Sequence, residues 1–182
     1  MRNSIFCAAF ALTAMLGGLN TLSAQPADQA LLQALGSPKI TLVQGIAQVA
    51  KGAEVPTEAK YEMEDGKLMM SVYTSAKGFS TAAEDNSFVE YNGAATAGAW
   101  SPKKEAFADF KHIARAAQYH ALLSMTKVTI PDIIRKASAR GTVFSVKEKI
   151  RNGKPVFEVI TAQGNKASTS FYDLVTGSPI AG

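Results

Sequence analysis

The side chains that most often carry chemistry are scarce in this chain. Its two histidines, His112 and His120, stand eight residues apart. On a helix that spacing turns them about 80° from one another across two turns, too far for one ion without further ligands. No HExxH pattern or adjoining carboxylate pair supplies any. Ser124 follows His120 by four residues, within helical reach, but no GxSxG elbow surrounds it. Met63, Met69 and Met70 cluster in one stretch. Thioethers suit Cu(I), yet methionines among alternating apolar residues more often fill core gaps. Gly17-Gly18 lies in an apolar leader, and Gly93–Gly98 lacks the lysine and the preceding strand of a phosphate loop. These features describe a chain without catalytic residues, metal or cofactor.

Residues suited to binding are better represented. Asp65-Gly66-Lys67 and Asn152-Gly153-Lys154 are the strongest short hairpin signals, because both turn positions take positive φ. Such tips project from a sheet and are natural contact points. Lys149 and Arg151 lead into the second tip and make it basic. Asp173, in the phrase Phe171-Tyr172-Asp173-Leu174-Val175-Thr176-Gly177, is placed to accept backbone N–H groups and fix a turn, or to meet a partner. The partner-binding set read from sequence is therefore Asp65, Gly66, Lys67, Lys149, Arg151, Asn152, Gly153, Lys154 and Asp173.

The elements that must position these tips occur twice. Ile40–Val55 (ITLVQGIAQVAKGAEV) matches Val128–Val143 (VTIPDIIRKASARGTV), and Lys60–Thr74 (KYEMEDGKLMMSVYT) matches Lys147–Thr161 (KEKIRNGKPVFEVIT). In each copy a Thr, Thr41 or Thr129, is an N-cap for a short helix. Pro131 inside the second helix and Gly141 beyond it obey the start and stop rules. The apolar period then changes from helical to two, giving a hairpin and a further strand, Phe79–Ala83 with Phe88–Tyr91 in the first copy and Ser168–Leu174 in the second. Between the copies, Ser101-Pro102 reads as a helix opening. Phe107, Phe110, Ile113, Ala117, Ala121, Leu122 and Met125 form a stripe that is expected to pack on the sheets. The expected fold is α+β: two tandem helix-plus-antiparallel-sheet units, 39–92 and 127–182, joined by a linker and central helix over 93–126.

With 47% hydrophobic and 19% charged residues among 182, the chain can bury a core and is not disordered overall. Arg2, the apolar run Ile5–Leu16 and small residues ending at Ala24 form a secretory signal over 1–24, so the mature protein is periplasmic or secreted. Cys7, the single cysteine, lies inside this run without the small-residue context of a lipidation site. Cleavage removes it and leaves a chain free of disulfides and thiols. Residues 39–100 hold five Lys against eight acids, whereas residues 127–182 hold nine Lys and Arg against four. Such opposed signs let the units dock on each other or on a second copy as an antiparallel homodimer, and let the basic hairpin meet an acidic protein or a lipid surface. Nucleic acid is a poor match, since no aromatic RNA-type motif accompanies the basic residues.

The second copy, from Val128 to Ile180, resembles the PepSY domain family. The likeness lies in the capped helix ending at Gly141, the NGKPVFEVIT hairpin and the closing FYDLVTG phrase. The first copy is similar through Ile40–Thr74 and then departs, offering Glu90 in place of Asp173 and no Thr-Gly turn. The resemblance implies a helix-on-antiparallel-sheet fold, an envelope setting, and a role in restraining a peptidase or binding a membrane protein. The expected function is an exported, non-catalytic protein-binding module, with a small-ligand or metal carrier as the alternative. Intact-mass measurement of the exported protein is expected to find a chain beginning at Gln25; a retained Met1–Ala24 segment would refute the signal.

Overall fold

The computed structural model describes residues 29–181; the signal segment read over 1–24, with Cys7, lies outside the described residues. Four helices and eight strands follow in the order α1 (Gln29–Ala34), α2 (Leu42–Val49), β1 (Val55–Glu64), β2 (Lys67–Ser75), β3 (Phe88–Ala94), β4 (Lys103–Ala106), α3 (Phe110–Leu123), α4 (Ile130–Ala137), β5 (Thr142–Arg151), β6 (Lys154–Gln163), β7 (Lys166–Asp173) and β8 (Pro179–Ile180). All eight strands form a single antiparallel sheet in the order β4-β3-β2-β1-β5-β6-β7-β8.

Local sequence explains most of these elements. Thr41 and Thr129 cap α2 and α4, each completing a reciprocal capping box, with Gln44 and Asp132 respectively. The two hairpins turn on Asp65-Gly66 (φ 48° and 73°) and Asn152-Gly153 (φ 51° and 73°), the conformation of a tight primed turn that matches strand twist. Their registers are the same at an offset of 87 residues. Val55 pairs with Ser75 and Glu64 with Lys67; Thr142 pairs with Ala162 and Arg151 with Lys154. Even the irregularity recurs, falling between Pro56 and Glu58 in β1 and between Val143 and Ser145 in β5.

Side chains of paired residues share a face. On one face Ala59, Tyr61, Met70, Val72, Val146, Phe157, Val159 and Tyr172 are buried under α2 and α4, which touch one another. Gly45 lets α2 approach closely, for a Cβ there would lie 2.3 Å from Met70 Cε. Helix α3 lies against β1, β3 and β5, and Phe107 leading into it meets Tyr73 of the opposite face (ring centroids 5.9 Å apart).

Three expectations are corrected. The central helix does not open at Ser101-Pro102. Lys103–Ala106 pairs with β3 instead, Phe107 N–H donates to Phe88 O, and the cap is Asp109, whose carboxylate accepts from His112 N–H. Pairing to an available sheet edge overrides the weak strand propensity of KKEA. The apolar stripe expected to pack on the sheets is divided: Phe107 meets Tyr73 and Leu122 packs against the core, but Phe110 is 84% and Met125 53% exposed, and Ala116, His120 and Leu123 are the buried side. Phe79–Ala83 is not a strand. It belongs to a loop between β2 and β3 that contains a 3₁₀ turn at Ala83–Asp85, closed by Asn86, which accepts from Lys77 N–H and donates to Gly78 O.

Gly141, which ends the α4 segment, has φ 138°, and a Cβ there would sit 2.4 Å from Ala162 O. Both the backbone conformation and the close approach reject a side chain. Gly141→Ala is expected to cost about 2–3 kcal/mol, seen as a lower urea midpoint at unchanged slope; an unshifted midpoint would contradict this packing.

Candidate functional site

The residues singled out for binding do not form one site. Strands β1 and β5 are antiparallel neighbours, paired at Ala59↔Val146 and Lys60↔Ser145, so their hairpins point in opposite directions. Each tip is six residues from this seam, which puts Asp65-Gly66-Lys67 and Asn152-Gly153-Lys154 about 40 Å apart along the strands. All six residues are exposed. Asp65, Gly66 and Lys67 stand at the acidic end, near Glu64, whose carboxylate accepts from Asn92.

At the other end the remaining predicted residues come together. Lys147, Lys149 and Arg151 are alternate residues of β5 and therefore line one face. Lys149 Nζ lies 2.7 Å from Glu158 Oε2 and Lys147 Nζ 3.8 Å from its Oε1. Arg151 stacks its guanidinium 4.3 Å over the Phe171 ring. Two lysines thus share one acid, and Arg151 on the same face has an aromatic ring in place of one. Lys147 and Lys149 remain 37% and 52% exposed, so their charges face water. Asp173 is engaged in its turn: Oδ1 accepts from Val175 N–H, Thr176 N–H and the Thr176 hydroxyl. Those bonds hold its carboxyl below the usual range, with a smaller pull from Lys154. Its structural role uses the atom that a ligand would need.

Sequence reasoning missed a cleft beneath α3. It has a volume of about 120 Å³ and is lined by Thr57, Glu58, Lys60, Tyr73, Phe107, His112, Arg115, Ala116 and Tyr119. Burial pushes the Glu58 carboxyl up, opposed by Lys147, Lys60 and Arg115. Burial also raises the Tyr73 and Tyr119 phenols, helped by Glu90 at the first and Glu58 at the second. His112, stacked on Phe107 at 5.2 Å, is held by Asp109 at 2.5 Å. The cleft mixes signs and has room for about four waters. Its residues come from β1, β2 and α3 and share no local motif, so no sequence signal could have gathered them.

The histidines are far apart in environment. His120 is buried, with Nδ1 2.8 Å from Ser75 Oγ, between Phe79 and Phe88 at 5.5 and 6.0 Å. Ser124, its neighbour in sequence, donates instead to Ala121 O. Ser75 is fully buried, so this Ser–His contact faces no substrate. Among the described residues no cluster of three His, Cys, Asp or Glu side chains could hold a metal. Met70 is buried, and Met63 packs against the core.

One buried charge stands out. Glu148 is 1% exposed, and neither carboxylate oxygen has a hydrogen-bond partner. It occupies the position, 87 residues on, of Tyr61, whose hydroxyl donates to Ile40 O at 2.5 Å. Desolvation raises the Glu148 carboxyl well above its ordinary value; its own backbone N–H opposes this, Glu58 adds to it, and Lys147 opposes it least.

No protein-family model and no curated protein matches the chain. A solved structure of a protein from Clostridium difficile 630, described as a "putative lipoprotein", is similar at 12% identity, covering 85% of this chain and 97% of the other, with a TM-score of 0.42.

Because the folded Glu148 carboxyl titrates above its unfolded value, the folded chain holds the extra proton. The penalty is absent at pH below the unfolded pKa and grows as pH rises towards the folded one. Glu148→Met is therefore expected to stabilise the protein by about 1–3 kcal/mol at pH 8, with the gain shrinking towards pH 4. A gain that does not change with pH, in parallel urea titrations, would contradict a buried ionisable group.

Proposed function

We propose that this chain is an exported, non-catalytic protein-binding module of the cell envelope, built from two tandem copies of a helix-and-hairpin unit. The duplication rests on capping boxes that coincide at an offset of 88 residues and on turns and hairpin registers that coincide at 87. The binding reading rests on one observation above all: Lys147, Lys149 and Arg151 line one strand face, where Glu158 pairs with the two lysines and Arg151 stacks on Phe171. A surplus of cations on a rigid sheet suits an acidic segment of a partner protein, where charge complementarity sets encounter rate and register. The PepSY-like phrases of the second unit add a peptidase as the class of partner to try first.

Addition of a partner strand to a sheet edge is the weaker mode here. The edge strands are β4, four exposed residues with two lysines, and β8, two residues beginning with proline. Short, lysine-bearing and proline-bearing edges discourage strand addition. A small-ligand carrier is also less well supported, because the cleft beneath α3, at about 120 Å³, falls short of the roughly 300 Å³ at which ligand pockets begin, and the hollow of about 360 Å³ beside Gln44, Gln48 and Trp100 lies wide open to solvent.

Capture from envelope extract tests the proposal. The parent chain is expected to retain an acidic partner, and Lys147→Glu/Lys149→Glu/Arg151→Glu to lose it while still folding, with Lys149→Gln/Arg151→Gln, which adds no acid beside Glu158, weakening capture in the same direction. Equal capture by both chains, or none by the parent, would overturn it.

A further inference from the structure

We infer that the outer face of α3 is a docking surface for an anionic lipid bilayer, on which the helix lies flat. Phe110, Ile113 and Met125 are exposed at 84%, 38% and 53%, along one stripe filled in by Ala114, Ala117 and Ala121. The stripe runs about 22 Å from Phe110 to Met125. Contiguous large apolar side chains on a helix surface are uncommon without a binding role. Of the remaining exposed large hydrophobics, Val175 adjoins the segment that follows α3, whereas Ile150 lies on the sheet face of Val146 and Phe157. Lys127 N–H donates to Val175 O, Leu174 N–H to Pro155 O, and Pro155 is paired with Ile150.

Charge selects the occupant. From Phe110 to Lys127 the chain carries Lys111 and Lys127 beside the stripe and no acid, while Arg115 turns into the cleft beneath α3 and Asp109, just before Phe110, is engaged by His112. Arg151 and Lys154 stand beside Ile150 at the adjoining tip. An apolar stripe flanked by long cations is the pattern of a helix lying in the headgroup region, with rings and methyl groups inserted and cations meeting lipid phosphates. A second copy is a poorer occupant, since two such helices would bring their cations together without acids to meet them. Among the described residues no helix is long and apolar enough to cross a membrane, consistent with a helix that rests on one.

Co-sedimentation of the full chain, as exported, with vesicles of phosphatidylglycerol and phosphatidylcholine tests the inference, with pure phosphatidylcholine as the comparison. The parent is expected to bind the anionic vesicles and to release them as salt rises. Phe110→Ser/Ile113→Ser/Met125→Ser is expected to bind at least about tenfold more weakly. Phe110→Ser alone, at so exposed a position, is expected to melt as the parent does and to weaken binding in the same direction. Binding by the triple variant equal to the parent's, no binding by the parent, or a dimer in native mass spectrometry that the triple variant abolishes would overturn the inference. Lys147→Glu/Lys149→Glu keeps both this stripe and the Arg151 tip, so loss of protein capture with retained vesicle binding in that chain separates the two surfaces.

Discussion

Everything in this molecule hangs on a seam two residue pairs long. Ala59↔Val146 and Lys60↔Ser145 are the only register between β1 and β5, yet they make one sheet of two hairpins. So short a ladder holds because of what covers it. Ala59 and Val146 are fully buried, and α2 meets α4 on the same face. The hydrophobic contact between the two helices and the sheet therefore carries the association, and the ladder sets its direction. An antiparallel seam sends the hairpins opposite ways, which is why two similar tips cannot reach one partner surface together.

Two hairpins of identical register carry different surfaces. At the shared offset, β1 presents Lys60, Glu62 and Glu64 where β5 presents Lys147, Lys149 and Arg151. The backbone is indifferent to this exchange, because strand faces exposed to water tolerate either sign. The buried exchange is different. Tyr61 reaches a backbone carbonyl through a phenol, whereas Glu148 in the matching place finds no partner. A tyrosine brings its donor to that carbonyl, while a carboxylate accepts bonds that the apolar surroundings do not offer. The first copy is thus satisfied at this position and the second is under electrostatic load.

Much of the fold was legible in the residues because its determinants are local. A Thr three residues before Gln or Asp, an Asn or Asp followed by Gly, and a switch of apolar period each act within a few positions, and α2, α4 and both hairpins follow them. The seam, β4 and the seating of α3 depend on distant partners. Helix α3 shows the limit most clearly. Counting apolar residues selects the Phe110–Met125 side as the buried one, but the sheet accepts Ala116, His120 and Leu123. Small Ala116 permits close approach, and Ser75 satisfies the imidazole of His120. Periodicity reports that a helix has two unlike sides, and which side is buried follows from the surface that it meets. The candidate binding residues divide likewise: each hairpin tip was visible in its own dipeptide, and only the strand order shows that they stand at opposite ends.

The arrangement of covered and uncovered surface narrows how such a molecule can act. One sheet face is occupied by α2 and α4, and both edges end in strands too short or too charged to extend. What remains are the basic face of the second hairpin and the outer side of α3, one polar and one apolar. A polar face made of three cations and one acid recognises charge and orientation, while an apolar helix face supplies area without direction. A protein resting on lipid through α3 would therefore hold its basic strand face at a fixed angle to the bilayer, since α3 is tied to the sheet at Ser75 and through Leu123. The rigid tie, more than either surface alone, is what would let so small a chain present one partner to another.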